Sequence, residues 1–220
     1  MASKPKKNGK ILNIMALVND EKKFIFFHLY KCGGVSFRKS LNEAFPNSYE
    51  IQGGHSLPKD FDLKGENGVK YRDYYRFTMI RNPFDFMVST YFYGKSYSNH
   101  FMHDDIIKNE MGMEEFIPYY FKHKENDKAN KLPGQNKVVT IKDWLHDDEG
   151  NIVVDKIMKI ETMESDIRDL SVKLGSTINI NQTNVNPNRD KNYRKYYTPI
   201  SRKMIEEKFD WELNEFDYEF

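Results

Sequence analysis

The sequence has little cysteine: Cys32 is the one thiol in 220 residues. That excludes an internal disulfide framework, leaves no C-x-x-C pair for redox chemistry, and suits a reducing compartment. An excess of charge of one sign is also lacking. With 34 Lys and Arg against 33 Asp and Glu, the formal net charge is +1, which argues against a nucleic-acid binder driven by bulk charge. No apolar run approaches the roughly 18 residues of a membrane span. Lys4, Lys6, Lys7 and Lys10 precede the apolar Ile11 to Val18 and imitate a signal peptide, but no small-residue cleavage site follows. We read residues 1–20 as a basic tail and lead-in, residues 21–220 as one domain, and the protein as cytosolic. Also missing are a G-x-x-x-x-G-K-[ST] loop, a carboxylate cluster for a metal, and His pairs at metal-binding spacing.

Aromatic residues are plentiful, at 15%, enough for a well-packed domain with rings left to stack on a planar ligand such as a nucleobase. The chain is organised around Phe24 to Leu41. Phe24 to Leu29 has the content of a buried strand, and Ser36 to Ala44 has helical spacing, with Phe37, Leu41 and Phe45 on one side. Between them lies Tyr30-Lys31-Cys32-Gly33-Gly34-Val35. A strand handing over to a helix through a Lys and two Gly residues aims backbone N–H groups at one spot, which makes a site for phosphate or sulfate. Cys32 reads either as a reactive thiol or as a small side chain packed in a tight loop, and we favour the second.

A second anion grip follows. Tyr75 to Ile80 is a strand ending in Arg81-Asn82-Pro83, where Asn82 suits an N-cap and Pro83 the first helical position, so a helix runs from Pro83 to about Tyr93. Arg81 at the strand end and Ser89 within the helix can converge on one anion. The other reading, which we favour slightly for this segment taken alone, is that Arg81 pairs with a surface carboxylate and Ser89 is filler.

Together, His28-Leu29-Tyr30-Lys31-Cys32-Gly33-Gly34-Val35-Ser36-Phe37-Arg38 and Arg81-Asn82-Pro83 with Ser89-Thr90-Tyr91 resemble the sulfotransferases that use 3'-phosphoadenosine 5'-phosphosulfate (PAPS), in particular the carbohydrate sulfotransferases related to heparan and chondroitin O-sulfotransferases. The likeness extends to Lys159 to Glu164, to Asn186 to Tyr197 and to Phe216 to Phe220. It departs at Tyr30, where Pro is common, at Cys32 and Val35, where Thr is common, and at Phe86, where Arg often stands. The resemblance implies a P-loop-NTPase-like α/β fold. It implies donor contacts from Lys31, Cys32, Gly33, Gly34, Val35, Ser36 and Phe37 at the 5' phosphosulfate and from Arg81 and Ser89 at the 3' phosphate. Asn186 and Arg194 match its later pattern, and the product is adenosine 3',5'-bisphosphate.

The chemistry asks for these residues on its own terms. Sulfuryl transfer passes through a loose transition state, so the protein mainly positions groups and stabilises charge on the leaving phosphate. Lys31 can place an ammonium at the bridging oxygen, while the Gly33 to Ser36 N–H groups and the Ser36 hydroxyl hold the anion. The transferred group carries less charge than a phosphoryl group, so no metal is demanded. An acceptor hydroxyl must lose a proton, and His55, in Gly54-His55-Ser56-Leu57-Pro58, is the candidate base. That loop resembles the family's Gly-His-x-x-Pro. His28, on the strand, reads as a structural residue near the loop, and the other histidines are assigned nothing.

Ser48 to Gln52 reads as a short strand, and Asp60 to Asp73 as a surface excursion. The Ser96 to Gly134 region, with a short helix over Met113 to Phe121, is where an acceptor is expected to bind, and a solvated insert is an equal reading. Ile152 to Lys159 is a strand, Met163 to Leu174 a helix ended by Gly175, and Thr198-Pro199 begins a final helix to about Phe209. The basic Asn181 to Lys195 segment, with Arg189, Lys191, Arg194 and Lys195, can fold over the donor's phosphates.

We expect a single α/β domain, a mostly parallel sheet flanked by helices with ligands at the C-terminal strand ends. The expected activity moves a sulfuryl group from PAPS to a hydroxyl, on a carbohydrate. Two other readings stay open: an ATP-dependent kinase, marked by ATP-Mg binding without affinity for adenosine 3',5'-bisphosphate, and a non-catalytic nucleotide-binding module, marked by absence of transfer.

Overall fold

The computed structural model describes residues 15–51, 58, 70–126, 140–180 and 186–220. Five strands form one sheet: β1 (Met15–Asn19), β2 (Phe24–His28), β3 (Tyr49–Ile51), β4 (Tyr75–Ile80) and β5 (Lys156–Lys159), in the order β3-β1-β2-β4-β5. β2, β4 and β5 pair in parallel, whereas β1 is antiparallel to both its neighbours. The sheet is therefore mixed, yet four strands point one way and β1 alone is reversed. Their C-terminal ends share an edge, the usual place for a ligand in an open α/β sheet.

β2 explains the layering. All five of its residues are buried, and successive side chains point to opposite faces. Phe24 and Phe26 join Phe37 and Leu41 of α1 (Gly34–Ala44) and Ile167, Leu170 and Leu174 of α6 (Met163–Leu174). Ile25 and Phe27 instead meet Ile141, Trp144 and Leu145 of the short α5 (Ile141–Leu145) and Phe216. Each fully buried Phe contributes about 2–3 kcal/mol by transfer. A third cluster lies among α2 (Pro83–Ser96), α4 (Met113–Asn126) and α7 (Pro199–Lys208). α3 (His103–Lys108) and α8 (Asp210–Glu215) complete the helices among the described residues.

Several boundaries differ from the sequence reading. Residues 15–19, placed there in the lead-in, form β1 with Leu17 on one face and Ala16 and Val18 on the other. A strand buried on both faces reads as an unbroken apolar run, which hides its alternation. Only Lys156–Lys159 of the expected strand over 152–159 is in the sheet; Ile152 makes an isolated bridge to His146. α2 and α4 run past their expected ends. Gly175 takes a left-handed conformation, φ 67°, at the end of α6, as expected.

Candidate active site

Three parallel strands each deliver a segment to the shared edge: β2 the loop 29–33, β4 Arg81 and Asn82, and β5 a 3-10 turn, Ile160–Thr162. The first loop is shaped by its glycines. Gly33 has φ 74°, which favours glycine, and a Cβ on Gly34 would lie 1.8 Å from Cδ2 of His28. The loop thus lies directly on the His28 ring. Burial, with Arg38 and Lys31 nearby, pushes the His28 pKa down to about 4, so the ring is neutral and acts as a floor.

The first helical hydrogen bond of α1 runs from the Phe37 N–H to the Gly33 carbonyl, 3.2 Å. The N–H groups of Gly34 and Val35 precede it in the first turn, where a helix leaves its N–H groups without intrahelical acceptors. They open at the helix N-terminus beside Lys31. Phe37 itself turns away: its side chain is buried against Phe26 and Phe77 and its N–H is taken, so neither faces this anion site. Cys32 is fully buried in the helical cluster, and burial pushes its thiol up to about 12, which fits a packed side chain and not a reactive thiolate. Val35 is exposed and Ser36 half-buried.

Lys31 has φ 57°, and its Nζ rests 3.9 Å from the centre of the Tyr93 ring. Among the described residues the ammonium meets no carboxylate and no hydrogen-bond acceptor. Its backbone carbonyl accepts a 3.2 Å hydrogen bond from Arg81 Nη1, which joins the two predicted anion grips. Burial, together with the positive charges of Arg81 and Arg189, brings the Lys31 pKa down to about 8.

Arg81 also donates from Nε to Asp85 Oδ2 at 2.6 Å, and Arg189 pairs with the other oxygen of Asp85. Burial and the charge of Arg81 lower the Arg189 pKa to about 10. Three cations therefore gather at the ends of β2 and β4, two of them on one carboxylate. Asn82 caps α2 by accepting from the Phe84 N–H at 2.9 Å. Its own N–H donates to Glu161 Oε1 at 2.7 Å, and Glu161 Oε2 accepts from the Tyr218 hydroxyl. Glu161 thereby fixes the turn that presents Arg81.

The structure separates the remaining candidates. Ser89 is buried on α2 and makes no side-chain hydrogen bond among the described residues, so nothing joins it to Arg81. Asn186 donates to Ser96 Oγ at 3.2 Å, anchoring the segment that carries Arg189. Arg194 stacks on Tyr193 and donates to the Phe220 carbonyl at 2.9 Å, away from Asp85. His55 and the 127–139 and 181–185 segments lie outside the described residues. Arg189 was visible only as one charge in a basic run, and Asp85 was missed; its sequence signal was a carboxylate four residues after Arg81 in a first helical turn.

No helix among the described residues is long and apolar enough to cross a membrane. A family model described as the sulfotransferase family matches residues 9–219. No protein of curated function and no solved structure matches the chain.

Proposed function

The chain belongs to the sulfotransferase family, and from that premise we propose that it moves a sulfuryl group from PAPS to a carbohydrate hydroxyl. The observation that carries this reading is the Lys31 ammonium, held over Tyr93 and beside Arg81 and Arg189, with no carboxylate partner among the described residues. In the proposal the 5' phosphosulfate sits at the N-terminus of α1 with Lys31 at the bridging oxygen. The 3' phosphate takes Arg81 and Arg189. No metal is invoked: Lys31, Arg81 and Arg189 and the N–H groups at the start of α1 oppose the donor's negative charge.

For the acceptor, the exposed rings of Tyr97 and Phe101 support a sugar. Tyr97 packs at a tilt against Tyr93, ring centres 4.5 Å apart, so a sugar's C–H face on these rings would lie beside Lys31. His55 is the proposed base. Transfer of ³⁵S from labelled PAPS to a glycan panel tests the reading, and His55→Ala should lower it about a hundredfold without changing affinity for adenosine 3',5'-bisphosphate. Tight donor binding with no transfer to any acceptor would refute the proposed activity.

The Lys31 pKa sets a pH dependence. Bound anion favours the protonated ammonium, so the complex carries more protons than the free protein between about pH 8 and the raised pKa of the complex. Affinity for adenosine 3',5'-bisphosphate should be flat across the pH units just below 8. It should then fall by up to about tenfold per unit above that. Calorimetric titration from pH 7 to 9.5 measures this, and an affinity that rises over that range would contradict it.

A further inference from the structure

Tyr30 stands where the resembling family commonly has Pro, and its hydroxyl meets Nε2 of His100 at 3.3 Å. The direction of that hydrogen bond follows from the other ring nitrogen. The Met102 backbone N–H, which can only donate, points at His100 Nδ1 at 3.3 Å, so Nδ1 is an acceptor and the proton sits on Nε2. Nε2–H therefore donates to the Tyr30 oxygen, and the Tyr30 proton is turned to another partner.

Both residues border the Lys31 ammonium. Tyr30 and His100 pack edge-on against Tyr93, with ring centres 6.0 and 5.2 Å away, and Tyr93 is the ring on which Lys31 Nζ rests. The Tyr30 ring centre is 6.0 Å from that Nζ. Burial, and after it the charges of Lys31, His103, His123 and Lys124, lowers the His100 pKa to about 4 and holds the imidazole neutral.

Resting on the proposed donor site, we infer that the Tyr30 hydroxyl, oriented by His100, donates a hydrogen bond to the sulfuryl group of a donor seated at Lys31. His100 is then a positioning residue acting through Tyr30. The motif departure from Pro supplies a hydroxyl where the common residue offers none.

Comparing PAPS with adenosine 3',5'-bisphosphate, which lacks the sulfuryl group, isolates the contact without knowing the acceptor. Tyr30→Phe keeps the ring against Tyr93 and removes only the hydroxyl. It should weaken PAPS binding about tenfold, as expected for one hydrogen bond to a charged group, and change bisphosphate affinity less than about twofold. His100→Ala should weaken PAPS similarly, and His100→Gln should restore much of the loss, because its amide N–H reaches the place of Nε2–H. Equal effects on both ligands, or none on either, would overturn the inference, as would a Gln variant no better than Ala. A wild-type protein that binds neither ligand would instead overturn the donor reading itself, and this inference with it.

Discussion

Lys31→Met should lower sulfuryl transfer about a thousandfold, the scale on which loss of one preorganised charge-stabilising group is felt, while raising the melting temperature. The two effects have one origin. The ammonium is half-buried beside Arg81 and Arg189, and its pKa of about 8 lies well below the ordinary lysine value. A cation whose folded pKa is depressed destabilises the folded state wherever it is protonated, and the penalty is relieved as pH rises from about 8 toward the unfolded value. Met removes the charge and ends one atom short of the position that Nζ takes over Tyr93, leaving an apolar chain on the ring, so the folded state should gain on the order of 2 kcal/mol at neutral pH. That gain should shrink above about pH 8.

In the transition state the balance reverses. Negative charge grows on the bridging oxygen as the bond to sulfur breaks, and Met offers nothing to receive it. Because that charge is largest in the transition state, kcat should fall far more than donor affinity. Single-turnover rates together with bisphosphate titrations separate the two. A variant that loses affinity and rate in equal measure would make Lys31 a binding residue only, and a lowered melting temperature would contradict the electrostatic account.

What was legible in the sequence follows how local the physics is. The handover from β2 to α1 could be read because Gly33 and Gly34 mark a turn that other residues cannot make over the His28 ring. The start of α2 could be read because Asn82 and Pro83 are a cap and a first-turn residue. Both signals act within a few residues. β1 could not be read, because burial on both faces removes the alternation that announces a strand. The completed site was less legible for a related reason. Arg189 reaches Asp85 from a segment distant in the chain, Glu161 acts through the Asn82 N–H, and Tyr30 finds His100 70 residues away. Single polar residues carry no periodicity, so only the tertiary fold tells which basic residue of 186–195 is turned inward. Arg194 and Arg189 look alike in sequence, yet one donates to the Phe220 carbonyl and the other enters the anion site.

Asp85 is the carboxylate that Arg81 and Arg189 share, and Asp85→Asn should separate folding from binding. The side chains of Asp85, Arg81 and Arg189 are 15%, 14% and 11% exposed, so each guanidinium has lost most of its water and relies on the carboxylate. An Asn at this position accepts from one Arg with its oxygen and turns an NH2 toward the donors of the other. Both guanidinium groups then lose the charge of this carboxylate, and the one facing the NH2 also loses its acceptor, at a cost of about 3 kcal/mol. The first turn of α2 also loses a negative group favoured by the helix dipole. Adenosine 3',5'-bisphosphate brings a phosphate that can replace the missing charge, so the complex loses less than the free protein does. By the thermodynamic cycle the difference must appear as tighter binding, about tenfold, together with a larger rise in melting temperature on adding ligand. Thermal unfolding of both proteins across a bisphosphate series reads both quantities. If Asp85→Asn instead binds more weakly while melting as the wild type does, then the carboxylate aligns the ligand and does not stand in for it, and the anion-replacement account of the Arg81–Asp85–Arg189 cluster falls.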